Sequence, residues 1–123
     1  MWANTKIAII IVVGYEMAPT QLEIKVKSLQ RLMKEENYYI QEKKDQKELL
    51  EKLEADKEVD PYELKKQKEI LEDTERLLPI LYNKIRQFKE DLEEYLKTYE
   101  GDENTDLAVT MVSKANDMLA SKV

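Results

Sequence analysis

The stretch from Asp60 to Tyr99 constrains this chain more than any other part of it. Leu64, Gln67, Leu71, Thr74, Leu78, Leu81, Ile85, Phe88, Leu92, Tyr95 and Tyr99 follow one another at alternating steps of three and four. That period keeps one stripe of an α-helix facing a partner for about ten turns, whereas a strand would scatter the same residues over both of its faces. A long helix with a coiled-coil-like seam is predicted over 61–99. Its start is marked three times: Asp60 as N-cap, Pro61 at the first helical position and Glu63 as the returning carboxylate.

Pro79 falls inside this run. An interior proline lacks the amide proton for the i−4 bond and costs about 3 kcal/mol relative to alanine. In the heptad frame it lies off the seam, on the solvent face beside Arg76, Asn83 and Arg86. There the carbonyl of Glu75 is left to water, and the expected bend makes the proline side convex.

The flanking sequence supplies two further helices. Thr20 and Glu23 form a capping-box pattern that opens a helix over about 20–56, carrying Leu22, Val26, Leu29, Leu32, Met33, Tyr39, Ile40, Leu50 and Leu53 at helical spacing. "QEKKDQKE" interrupts its apolar face. After Gly101, read as a left-handed cap, one of Asp102, Asn104 or Thr105 starts a short helix over about 104–121, with Leu107, Ala108, Met111, Val112, Ala115, Met118 and Leu119 on its apolar side. Short connections make successive helices antiparallel, so the fold class is all-α: an antiparallel up-down-up three-helix bundle with a long hairpin and a shorter third helix. Folding the hairpin sets Ile40 near Leu78, Leu29 near Phe88 and Leu22 near Tyr95, with Lys43, Gln46 and Lys47 opposite Thr74. A three-helix base and a protruding two-helix tip with a thin polar seam are expected, Pro79 standing where the third helix runs out.

Residues 1–16 are read as an N-terminal extension outside the folded domain of 17–123. The apolar run 7–13 is far shorter than the roughly 20 residues a membrane span needs, and "GYEMAP" is a poor signal-cleavage site. Met17 directly precedes the first helix start and is the expected working initiator.

Chemistry is limited by what the chain lacks. With no cysteine and no histidine, disulfides, thiolate nucleophiles, the usual zinc ligand sets and histidine-based catalysis are excluded. Gly14 and Gly101 stand alone, so no phosphate-cradling loop exists. Carboxylate pairs such as Glu35/Glu36 and Glu93/Glu94 read as solvated helix faces rather than acid/base dyads. Net charge is −6 with both signs interleaved, which offers no basic stripe to a nucleic acid. No enzyme, cofactor, metal or membrane association is indicated, and the residues point to a helical interaction module.

At "MAPTQLEIKVKSLQRLMKEENYY", "DPYELKKQKEILEDTERLLP" and "IRQFKEDLEEYLKTY" the sequence resembles the tubulin-binding cofactor A family, also called tubulin-specific chaperone A, and its fungal members above all. The resemblance covers Met17 to Val123 and is most specific from Asp60 through Pro79. It implies a cytoplasmic protein of the microtubule cytoskeleton that holds β-tubulin folding intermediates after chaperonin release and passes them on, together with other tubulin-folding cofactors, toward the heterodimer. Action by binding alone is implied, on a three-helix bundle; monomer and homodimer both stay open, fungal members being associated with dimers. Residues 1–16 are foreign to the family pattern.

The resemblance assigns no contact residues; exposure and the unsupported tip do. Lys65, Lys66, Glu69, Glu72, Asp73 and Arg76 on the outward face of the second helix, with Tyr38 and Glu42 of the first, form the expected partner-binding set. The competing reading is a generic helical holdase or coiled-coil adaptor, for which the heptads alone would suffice.

Overall fold

The computed structural model describes residues 18–122. Three α-helices follow in order: α1, Gln21–Ala55; α2, Pro61–Lys97; and α3, Asp106–Lys122. The extension expected over 1–16 lies outside the described residues. α1 and α2 run antiparallel, since Lys25 near the start of α1 meets Asp91 near the end of α2 at 2.6 Å, and Glu36 meets Tyr82 at 2.7 Å. α3 returns parallel to α1: Leu22 and Leu107 line one groove between the two helices, Asn37 and Lys114 the next.

The capping residues perform as their chemistry dictates. The Thr20 hydroxyl accepts from the Glu23 amide at 3.1 Å, and the Asp60 carboxylate accepts from the Tyr62 amide at 3.0 Å ahead of Pro61. Each bond satisfies an amide that the helix itself leaves unpaired, a contribution of about 1 kcal/mol. Thr20 has a second partner: its hydroxyl donates to Glu103 at 2.7 Å, while Glu103 also accepts from the Tyr99 hydroxyl at 3.0 Å. One carboxylate thus ties the α2–α3 turn to the N-cap of α1.

Gly101 does not act as the left-handed cap expected of it, for no described glycine has positive φ. The end of α2 is closed instead by Thr98, and the Glu103 amide donates to the Tyr99 hydroxyl at 3.1 Å. The phenol folds back over the turn, and a Cβ on residue 101 would overlap its ring. Gly101 is there for space rather than for φ.

Leu22, Val26, Leu29 and Leu32 of α1, Leu81, Ile85 and Leu92 of α2, and Ala108, Met111, Ala115 and Leu119 of α3 form the core. Leu29, Ile85 and Leu92 are fully buried, each worth about 1.5–3 kcal/mol of apolar transfer as an upper estimate. The two alanines let α3 lie close. This three-helix cluster stops at Leu32 and Leu81. Toward the tip, Leu71 and Leu78 are buried but Leu50, Leu53 and Leu64 are only half-buried. The Thr74 hydroxyl turns back to the Ile70 carbonyl at 3.2 Å, and Gln46 Oε1 is buried with no partner among the described residues.

Two expected apolar positions are exposed: Phe88 of the α2 seam, at 38%, and Leu107 of the apolar side of α3. For Phe88 the cause is the third helix, which draws the buried stripe of α2 toward its own side. Tyr82 and Leu96 pack on the core from that side, and half-buried Lys89 bonds Asn116 of α3 at 2.9 Å. A two-helix heptad rotates away from Phe88 once a third partner must be served.

Pro79 sits inside α2 and is exposed, as its place in the heptad requires. Replacing it restores the amide donor for the Glu75 carbonyl, a gain partly offset by the looser unfolded chain. Pro79→Ala is therefore expected to stabilise the fold by about 2 kcal/mol, read as a higher urea midpoint at unchanged slope.

Candidate partner-binding surface

Glu36 is the one charged side chain in the buried set, 4% exposed in the middle of α1. The solvated face expected for it is therefore corrected. The helical spacing of α1 runs through it, since Leu29, Leu32, Met33 and Ile40 lie at steps of three, four or seven on either side. A carboxylate there is tolerable because the Tyr82 hydroxyl donates to it from α2 at 2.7 Å. Burial first, and then the adjacent carboxylate, push the Tyr82 phenol well above its ordinary pKa, so it stays a donor. The pair locks the hairpin register, because a slip of either helix would strand a buried charge.

The eight expected contact residues fall into three groups. Lys65, Lys66 and Glu69 line a shallow depression with Tyr62, whose ring is 69% exposed. One turn further along α2, Arg76 reaches Glu72 and Asp73, at 3.4 Å each. All six are exposed and lie on successive turns of one helix. The ion pairs are open to water and add little stability, so their charges are available to a partner.

Tyr38 and Glu42 belong to the other helix and join neither group. Tyr38 is 59% exposed and packs edge-on against Tyr39, ring centroids 5.3 Å apart; Tyr39 packs against the core as expected. Glu42 is half-buried. The Glu36–Tyr82 contact sets Tyr38 level with Ile80, about 22 Å along the axis from Lys65. The set is a long ribbon, not a cluster.

Exposed large apolar side chains add to that surface. Ile24, Tyr38, Leu49, Tyr62, Ile80 and Phe88 are all exposed on the hairpin, and Ile24 and Phe88 line the same shallow groove. Only Tyr38 among them belongs to the set expected from the sequence. Tyr62 and Ile80 could have been found from the heptad, which leaves both off the seam; Phe88 could not.

Among the described residues no group of acidic side chains is arranged to hold a metal ion, and no helix is long and apolar enough to cross a membrane. The depressions are open and shallow, lined by helix-face residues.

Known proteins share this architecture and sequence. A solved structure of Rbl2p, described as a β-tubulin binding post-chaperonin cofactor, superposes with a TM-score of 0.76 at 59% identity, covering 82% of this chain and 99% of that one. The tubulin-specific chaperone A of Saccharomyces cerevisiae (strain ATCC 204508 / S288c) is 61% identical over 106 residues, spanning 86% of this chain and 100% of the yeast protein. The sequence pattern of the family described as "Tubulin binding cofactor A" matches residues 17–119. The family pattern spans most of the chain and the yeast relative matches over its whole length, so the chain belongs to the tubulin binding cofactor A family, one of binding chaperones rather than enzymes.

Proposed function

We propose that this chain is a holding cofactor for β-tubulin: it binds folding intermediates released from the chaperonin and passes them to the other tubulin-folding cofactors for heterodimer assembly. The observation that carries this reading is the 61% identity to a tubulin-specific chaperone over that protein's whole length. The solved relative, a β-tubulin binding post-chaperonin cofactor, points the same way. A cytoplasmic site of action beside the microtubule cytoskeleton follows from the partner. The working unit is a monomer or a homodimer, which light scattering after size exclusion distinguishes.

Contact is assigned to the outward ribbon of α2, Lys65, Lys66, Glu69, Glu72, Asp73 and Arg76, extended by Tyr38 and Glu42 of α1. Its support is physical: the six charges of α2 are exposed, weakly paired and carried on a tip that α3 does not buttress. Exposed rim charges steer encounter and set partner choice. Lys65→Glu together with Lys66→Glu is expected to weaken capture of purified β-tubulin about tenfold while the circular dichroism of the helices is unchanged. Equal capture by both proteins would reject the ribbon. Selective retention of β-tubulin from cell extract, against broad retention of unfolded proteins, separates this function from that of a generic holdase.

Glu36 and the Tyr82 hydroxyl hold the hairpin in register. Tyr82→Phe, which leaves a buried carboxylate without its donor, is expected to lower stability by about 1–3 kcal/mol. Glu36→Met combined with Tyr82→Phe removes both polar groups and is expected to recover most of that loss in urea melts.

A further inference from the structure

α3 lies along one side of the hairpin and ends at Lys122, but the trough between α1 and α2 continues past it. Immediately beyond Lys122 lies an open depression of about 420 Å³. Its floor is apolar, built from Ile40 of α1 with Leu78, Pro79 and the Tyr82 ring of α2. Its rim carries Lys43, Arg86 and Lys122, one cation from each helix, against one acid, Glu75, among the described residues. Among the described residues none of the three cations has a carboxylate within 4.0 Å; Arg86 donates only to Asn83, at 2.9 Å. In a chain of net charge −6 this is a local inversion of sign over an apolar floor.

Two further features prepare the place. Pro79 has no amide proton, so the Glu75 carbonyl beside the depression lacks its i+4 donor and is open to another. The one buried carboxylate nearby, Glu36, is already held by the Tyr82 hydroxyl and adds no free acceptor to the floor.

We propose that this depression docks an acidic segment of the client that carries an apolar side chain. The apolar group covers Ile40, Leu78 and Tyr82, carboxylates meet Lys43, Arg86 and Lys122, and a donor from the segment takes the Glu75 carbonyl. The client segment thereby continues the line that α3 abandons. Charge complementarity calls for an acidic occupant, and the client is the donor of that acidic segment; a second copy of the chain, itself of net charge −6, is the occupant that the test separates from it. The occupant presupposes the β-tubulin partner proposed above.

The test compares capture of purified β-tubulin by three full-length proteins: the unaltered chain, Lys43→Glu/Arg86→Glu/Lys122→Glu, and Lys27→Glu/Lys84→Glu/Lys114→Glu, which makes the same charge change away from the depression. The first triple variant is expected to bind about tenfold more weakly than the second and to lose most of the salt dependence of the unaltered chain. Should that variant melt early, the single reversals Arg86→Glu and Lys122→Glu carry the same comparison against Lys84→Glu and Lys114→Glu. Equal capture by the two sets overturns the proposal while leaving β-tubulin binding intact. A variant that keeps capture but shifts from dimer to monomer in light scattering overturns it in favour of a second copy. Failure of the unaltered chain to bind removes both readings together.

Discussion

Burial of one continuous seam between α1 and α2 governs this molecule, and α3 is too short to cover it. The hairpin helices have 35 and 37 residues and α3 has 17, so about 25 Å of third helix lies against more than 50 Å of hairpin. Where all three helices meet, a continuous cluster from Leu22 to Leu32 and from Leu81 to Leu92 leaves water; where only two meet, Leu71 and Leu78 do so while Leu50, Leu53 and Leu64 remain half-buried. The hydrophobic effect scales with area removed from water, so the two ends of one hairpin differ in local stability without any break in secondary structure. A firm base and a yielding prong result from a difference in length alone.

Polar groups then decide details that apolar burial leaves open. Leucine against leucine tolerates small axial slips; a carboxylate buried against a phenol does not, and Glu36 with Tyr82 fixes the level at which the hairpin closes. At the base, Lys25 bonds Asp91 and lies 5.4 Å from the centre of the Tyr95 ring. Such an interaction is partly screened and contributes modestly. The division of labour is between a seam that supplies stability and a few polar pairs that supply uniqueness.

Helix starts are legible in the sequence because their signals are local: Thr20 and Asp60 accept from amides three and two residues away, and Pro61 presets the first helical φ. The antiparallel register is legible too, since heptads on both helices can be folded onto each other, and Ile40 and Leu78 do share a cavity wall. Less accessible is anything that depends on the third helix. Phe88 fits a two-helix seam and is displaced only because α3 sits on the far side. Gly101 carries the usual mark of a left-handed cap, and only the placement of the Tyr99 ring shows its true use. Glu36 is hidden by its chemistry, although its spacing is that of a core residue. The ribbon on α2 is visible as exposed charge, but its separation from Tyr38 along the axis needs the hairpin register.

The bonds of Glu103 to Thr20 and Tyr99 anchor only the leading end of α3. Its trailing end at Lys122 carries no comparable tie among the described residues. Adding or trimming one turn there would shift the border between base and prong by about 5.4 Å and leave the hairpin unaltered. The share of the hairpin left as a two-helix prong is therefore a matter of how long α3 is, and it can change with no alteration to the seam beneath it.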